Sequence, residues 1–313
     1  MTRPPMNAPL KFVLSASRRT DIPAFYLDWF MDRMDQGSFD VTNPYNGRIR
    51  HVITTADTVH TIVLWSKNFG PFLRGGYGER LQKMGFNLFF NFTINSESKQ
   101  LEPNVPPLSE RLDQLSKLAA THPPESISWR FDPVCRYITA SGETGDNLCD
   151  FDKIAEHAGL TGITRCITSF IDLYPKIQRR TAQGHALTFV PTPLSEQSRI
   201  LTAMHAKLKA CGLQLFTCCE TKLLQSLPPA SGIKAAACVP NDLLMRLFGG
   251  QLSLKKDGGQ RVSSGCGCKV SIDIGAYDQH PCFHNCLYCY ANPSAPHRKE
   301  KTPTFSETME DNG

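Results

Sequence analysis

Three cysteines near the C-terminus stand at C-x3-C-x2-C spacing, in the run His280-Pro281-Cys282-Phe283-His284-Asn285-Cys286-Leu287-Tyr288-Cys289-Tyr290-Ala291-Asn292. Thiolates are soft ligands that select iron–sulfur clusters, zinc or copper(I). Three of them on one short loop can hold three irons of a 4Fe–4S cubane and leave the fourth iron open for chemistry. A second group, Cys218, Cys238, Cys266 and Cys268, is dispersed along the chain: two close strand-like runs and two flank Gly267 in a Cys-Gly-Cys turn. Four thiolates complete a closed site, either a structural zinc or a second, auxiliary iron–sulfur cluster. Cys219 competes with Cys218 for a place in that set. His280 and His284 flank the first loop as further candidate zinc ligands, although a histidine in such a loop more often hydrogen-bonds locally.

Charged and polar residues recur where strand-like runs end: Arg18, Arg19 and Asp21; Lys67 and Asn68; Arg130 and Asp132; Asp172 and Tyr174; and Glu220. In a parallel barrel the C-terminal ends of the strands converge on one mouth, where active sites are built. This pattern predicts one shared site, with Arg18, Asp21, Arg130 and Asp132 as candidate catalytic residues. The competing structural reading makes Arg130 and Asp132 a paired charge set and leaves Arg18 and Arg19 in solvent. Lys255 to Arg261, with Gly258 and Gly259, reads either as a wrap for an anionic group or as a solvated loop. No Walker A segment, His-Glu-x-x-His or nucleophile elbow occurs.

The elements that must position these groups are legible as alternating patterns. Phe12 to Ala16 reads as a buried strand followed by a polar loop and a helix from about Pro23. Thr61–Trp65, Phe86–Ile94, Ile127–Phe131, Ile163–Phe170, Leu213–Thr217 and Ile233–Cys238 are further strand-like runs, and Leu108–Ala120 and Ser195–Ala210 are helical patterns between them. Strands alternating with helices imply a parallel sheet. With Val52–Thr54 as an extra strand, the count approaches eight, so the expectation is an α/β fold with a TIM-like (β/α) barrel, irregular in places. The simplest division is a barrel body over 1–262, a cysteine-rich cluster-binding segment over 263–292 and a mobile tail over 293–313, polar and almost without apolar residues.

The 313 residues are 41% apolar and 20% charged, which fits a globular chain rather than a disordered one. No run approaches the roughly 20 apolar residues of a membrane span, and no apolar leader precedes a small-residue cleavage site, so a cytoplasmic protein without a membrane partner is expected. Twelve cysteines are many for such a protein. Metal ligation accounts for the clustered ones better than a disulfide framework, which belongs to small secreted chains. Cys135, Cys149, Cys166 and Cys211 are scattered and read as ordinary thiols. The net charge of +5 is spread along the chain, which permits nucleic acid as a partner without indicating it.

The C-x3-C-x2-C spacing, with an aromatic residue before the last cysteine, resembles the cluster loop of radical SAM enzymes. In that superfamily the open iron chelates S-adenosylmethionine. Ser15–Ala24, Trp65-Ser66-Lys67-Asn68, Trp129-Arg130-Phe131-Asp132-Pro133, Cys266-Gly267-Cys268 and Ser271–Gly275 together resemble domain of unknown function 1848, over roughly Phe12 to Asn292. The family resemblance implies a radical-SAM-like C-terminal cysteine cluster and no assigned reaction. The radical SAM resemblance implies a 4Fe–4S cluster on Cys282, Cys286 and Cys289, S-adenosylmethionine against Tyr288 and Asn292, a one-electron donor such as flavodoxin or ferredoxin, and hydrogen abstraction from an unknown substrate. Two departures are plain: the loop lies at the end of the chain rather than its start, and no Gly-Gly-Glu segment is present. The alternative expectation is a zinc-stapled protein, its ion on Cys266, Cys268, Cys286 and Cys289, with a mouth that binds nucleic acid or another anion.

Overall fold

The computed structural model describes residues 10–44, 46–182 and 187–291. Asn292 and the tail over 293–313 lie outside the described residues. Eight strands form the main sheet: β1 (Phe12–Ala16), β2 (Val59–Ser66), β3 (Asn87–Thr93), β4 (Ile127–Val134), β5 (Arg165–Phe170), β6 (Gln214–Thr217), β7 (Lys234–Ala235) and β8 (Ile272–Asp273). Their order across the sheet is β7-β6-β5-β4-β3-β2-β1-β8, and every neighbouring pair is parallel. Helices occupy the crossovers, among them Leu27–Gln36, Leu108–Thr121, Phe151–Leu160, Leu194–Ala210 and Asn241–Phe248. This is the arrangement that parallel neighbours require, since a tight turn cannot reverse the chain twice.

Alternation along the strands divides the core between the two faces of the sheet. Leu14, Ile62, Leu64, Leu88, Phe90, Trp129, Phe131 and Leu215 point toward the helices and form the large apolar cluster. Val13, Val63, Phe89 and Ile167 point the other way, into a smaller cluster shared with Cys218, Cys238, Cys266 and Cys268. A sheet buried on both faces explains why its strands are apolar almost without interruption.

The expectation of a TIM-like barrel needs correction. The strands follow chain order around the sheet, and β8 returns beside β1. Among the described residues, however, no ladder joins β7 to β8, so the sheet stays open at one seam and no closed barrel forms. The physical reason is the brevity of both edge strands, two residues each, which leaves too few backbone groups to pair. A backbone hydrogen bond from Lys269 N–H to Val239 C=O, 3.1 Å, crosses the seam. The proposed extra strand at Val52–Thr54 is also corrected. Ile49–Ile53 pairs antiparallel with Ser38–Thr42 in a separate hairpin, and Ile272–Asp273 supplies the eighth strand instead. A third, antiparallel sheet joins Leu187–Val190, Arg136–Thr139 and Thr144–Asp146. Among the described residues no helix is long and apolar enough to cross a membrane.

Candidate functional site

The β1–β8 pairing sets Asp273 directly against Ser15. Its carboxylate accepts from Ser15 Oγ at 3.0 Å, from the Arg18 N–H at 2.8 Å and from Ser17 Oγ, so the loop after β1 is gathered onto the last strand. Ser15 Oγ accepts in turn from Trp65 Nε1 at 3.1 Å. The Trp65 ring is within cation–π reach of both Arg18, at 5.4 Å, and Arg130, at 5.5 Å. Arg18 also donates to Ser271 Oγ at 3.2 Å and stands 3.6 Å from Asp257. Asp273 and Trp65 lie in segments that carry the family resemblance, but neither is among the candidate catalytic residues read from the sequence. Besides those motifs, the signal for a site role is their position, each at or near the end of a strand.

Asp21 is buried, and four donors fill its carboxylate. Ala24 N–H, which the short helix Ile22–Phe25 presents, and Ser66 Oγ bond Oδ1 at 2.9 and 2.7 Å; the Lys67 N–H and His284 Nε2 bond Oδ2, both at 2.8 Å. The residue thus ties β2 and the cysteine loop to the loop after β1. Beside it lies a buried ionic group. Lys67 Nζ is 2.7 Å from Glu102, Asn95 Nδ2 donates to the same carboxylate at 3.0 Å, and Arg111 stands 3.9 Å away. Burial opposes both charges, but mutual attraction prevails: Lys67 and Arg111 hold Glu102 below its ordinary range, and Glu102 holds Lys67 above its own.

Tyr288 is turned into this group. Its hydroxyl donates to Glu102 and accepts from Lys67 Nζ at 3.0 Å and Asn95 Nδ2 at 2.9 Å. Burial, and then the Glu102 charge, push its phenol well above its usual value. The aromatic before the third cysteine therefore anchors the loop from beneath. The loop backbone is held from the other side by Arg180, which donates to the carbonyls of Cys286 at 3.0 Å, of Leu287, and of Cys289 at 2.7 Å. Leu287 N–H reaches Leu101 C=O at 2.9 Å, and Tyr26 Oη donates to Pro281 C=O at 2.6 Å. His280 packs on Trp29 with ring centroids 4.2 Å apart. Cys282, Cys286 and Cys289 interact electrostatically with one another, and burial pushes the Cys282 and Cys286 thiols up. Such thiols stay neutral until a cation displaces their protons.

The second set of cysteines gathers at the open seam. Cys218 and Cys219 follow β6, Cys238 follows β7, and Cys266 and Cys268 precede β8. Cys218 Sγ is 3.9 Å from Cys238 Sγ and 3.7 Å from Cys219 Sγ. Thiol–thiol hydrogen bonding pushes Cys238 up to about 12. Arg130 and Asp132 share a face of β4, as alternation predicts, and pair with each other. Arg130 Nη1 also contacts Cys238 Sγ, and Ser169 Oγ donates to Asp132. Burial of Arg130 is outweighed by these neighbours, which raise it well above its usual value. Burial also lifts Glu220, at the end of β6, to about 7, although its carboxylate accepts from Phe170 N–H at 2.8 Å. Gly267 is required in the Cys-Gly-Cys turn, since a Cβ there would stand 2.5 Å from the Ala236 carbonyl oxygen. Among the described residues, no group of three or more His, Cys, Asp or Glu is arranged so that it could hold a metal ion. The thiols are neighbours rather than a finished cage.

Fold and site together define an α/β protein that gathers cysteine-bearing loops and buried arginines across the C-terminal ends of a parallel sheet. The chain belongs to the family described as domain of unknown function (DUF1848), whose model matches residues 13–291. No curated protein matches it. Among solved structures, D-hydantoinase from a Bacillus sp. AR9 is similar over 58% of this chain at 15% identity, with a TM-score of 0.28. The chain spans 41% of that structure's length, and a likeness of this grade bears no argument about function.

Proposed function

We propose that the chain is an iron–sulfur enzyme of radical-SAM-like type. Cys282, Cys286 and Cys289 would hold a 4Fe–4S cluster, and the strand ends around Arg18, Trp65, Arg130 and Asp132 would receive S-adenosylmethionine and a substrate. When bound and reduced by one electron, such a cofactor pair supplies a 5'-deoxyadenosyl radical for hydrogen abstraction. The observation that carries the reading is the cysteine loop itself: three thiols on one segment, its carbonyls clamped by Arg180 and its Tyr288 locked onto Glu102 and Lys67. A loop with three ligands and no spare must be fixed by its surroundings, because the metal bonds alone leave one corner free. In this arrangement Lys67 balances negative charge near Cys286, and Arg130, with Asp132, faces the same mouth as the loop after β1. We also read the sheet as a TIM-like barrel opened at one seam, because its strands follow barrel order.

The experiment is anaerobic purification with iron and sulfide counted per chain, followed by electron paramagnetic resonance of the reduced protein with and without S-adenosylmethionine. The reading expects iron and sulfide that disappear on Cys282→Ala, Cys286→Ala or Cys289→Ala, a signal perturbed by S-adenosylmethionine, and release of 5'-deoxyadenosine. Iron-free protein rejects the cluster. An unperturbed signal with no 5'-deoxyadenosine rejects the radical chemistry alone. A redox-inactive anion- or nucleic-acid-binding protein with zinc on Cys266, Cys268, Cys286 and Cys289 would draw two thiols from each group, and the two groups pack into different side-chain clusters.

A further inference from the structure

The seam between β7 and β8 is the weakest edge of the sheet and also its most cysteine-rich place. Four thiols there form a closed ring of contacts. Cys218 meets Cys238 at 3.9 Å. Cys268 lies beside both Cys238 and Cys266, and Cys266 lies beside Cys218, near enough for each thiol to act on its neighbour, and all four pack into one buried cluster. Cys219, whose backbone takes a φ of 64°, is a fifth thiol beside the ring, 3.7 Å from Cys218 and also facing Cys266, but it is less buried than the four. Every ring member is buried, and the four come from three segments: the ends of β6 and β7 and the turn that leads into β8.

The donor set, four thiols and no other ligand, suits zinc. Four thiolates about 2.3 Å from a tetrahedral zinc ion stand about 3.8 Å apart, the edge of the tetrahedron. Cys218 and Cys238, 3.9 Å apart, stand near that spacing, while the four thiols together are not yet arranged around an ion. Sulfurs bound to different irons of a cluster are spread wider, because the iron atoms and bridging sulfides lie between them. The surroundings suit thiolates too. Arg130 donates to Cys238 Sγ, and Arg18 and Arg261 lie close enough to favour negative charge on Cys268 and on Cys219 and Cys218. Outer donors of this kind are what a metal-bound thiolate needs.

We infer that Cys218, Cys238, Cys266 and Cys268 bind one zinc ion in a closed tetrahedral site that staples the open edge of the sheet, independently of the Cys282 loop. Four thiols release four protons to solvent as zinc enters, and the product carries a net charge of −2, facing the three guanidiniums. The sulfurs must turn from one another toward the ion, a rotation of side chains about a backbone already in place. No electron is transferred, and with four protein ligands no open position remains for substrate. The role is structural.

The test uses the full chain, purified with metals counted, as wild type, C266S/C268S and C282S/C286S/C289S. The expected result is about one zinc per chain in the wild type and in C282S/C286S/C289S, and a loss of roughly tenfold or more in C266S/C268S. Absence of zinc from the wild type overturns the inference, as does zinc undiminished in C266S/C268S. Iron and sulfide that persist in C282S/C286S/C289S and vanish in C266S/C268S also overturn it, in favour of a second cluster. If C266S/C268S fails to fold, cobalt(II) titration of the metal-stripped wild type decides. Intense visible bands of a tetrahedral tetrathiolate at one equivalent support the site, and weak octahedral bands or none reject it. Iron on the Cys282 loop is read separately in each sample, so failure of the zinc site and failure of the cluster are distinguishable.

Discussion

Replacing Glu102 by Gln should be among the most damaging single changes in this protein, although it removes only a charge. Glu102 is 3% exposed and carries Lys67 Nζ at 2.7 Å, Asn95 at 3.0 Å, the Tyr288 hydroxyl, and Arg111 at 3.9 Å. The substitution leaves the buried Arg111 and the half-buried Lys67 facing a neutral amide. Breaking a buried ion pair from one side costs about 3–5 kcal/mol, since the remaining charge is desolvated without compensation. Denaturant unfolding monitored by circular dichroism should show a loss of that size with an unchanged m-value. Lys67→Met should fall near the lower end, because Arg111 still faces the carboxylate. In K67M/E102Q both charges are gone, so its loss should be smaller than the sum of the singles by roughly 2–3 kcal/mol. The pair also sets a pH window. With Glu102 held below its ordinary 4.5, its contribution is present above that value and lost as pH falls through the folded one. With Lys67 held above its ordinary 10.5, its contribution is complete below that value and lost as pH rises through the folded one. An E102Q protein within about 1 kcal/mol of wild type, or strictly additive singles, would refute the reasoning.

Glu220 has the opposite sign: its folded value of about 7 lies above 4.5, so the folded state keeps a proton that the unfolded chain gives up, and stability should fall as pH rises across that interval. Glu220→Gln should flatten this slope, which parallel melting temperatures for the two proteins at about pH 5 and about pH 8 would disprove. Arg180→Met removes the donors to the carbonyls of Cys286, Leu287 and Cys289 and should cost about 2–4 kcal/mol. Hydrogen exchange at the Cys289 amide, bonded to Cys286 C=O at 3.0 Å, should quicken, and unchanged protection would argue against the clamp. Gly267→Ala drives a Cβ to 2.5 Å from the Ala236 carbonyl and should lower stability by about 1–3 kcal/mol through displacement of the Cys-Gly-Cys turn, with calorimetry as the check.

Much of this architecture was written locally. Phe12–Ala16 is a strand at the expected residues, and the helical patterns at Leu108–Ala120 and Ser195–Ala210 fall on helices at Leu108–Thr121 and Leu194–Ala210. A burial pattern repeated over five or more residues records which side of the chain meets apolar neighbours, so it survives without knowledge of those neighbours. The short elements were different. Ile272–Asp273 is two residues long, too brief for any periodicity, and is a strand only because β1 offers it a parallel edge. Val52–Thr54 has the composition of a sheet strand, yet Ile49–Ile53 found its partner in Ser38–Thr42, eleven residues away at the Asp40–His51 pair.

The same division runs through the site. By itself the sequence determined that Cys282, Cys286 and Cys289 share a loop, because three ligands within eight residues cannot be far apart, and that Arg130 and Asp132 share a face, because strand side chains alternate. Tertiary structure alone decided that Tyr288 turns inward to Glu102, 186 residues away, that Asp21 closes on His284 across 263 residues, and that Asp273 binds Ser15, Ser17 and Arg18. It also decided which thiols touch, setting Cys218 against Cys238 and Cys219. Contacts at such separation depend on the order and register of parallel strands, which a linear pattern does not encode. Side-chain direction at a strand end follows from the backbone's final path rather than from the residue's type.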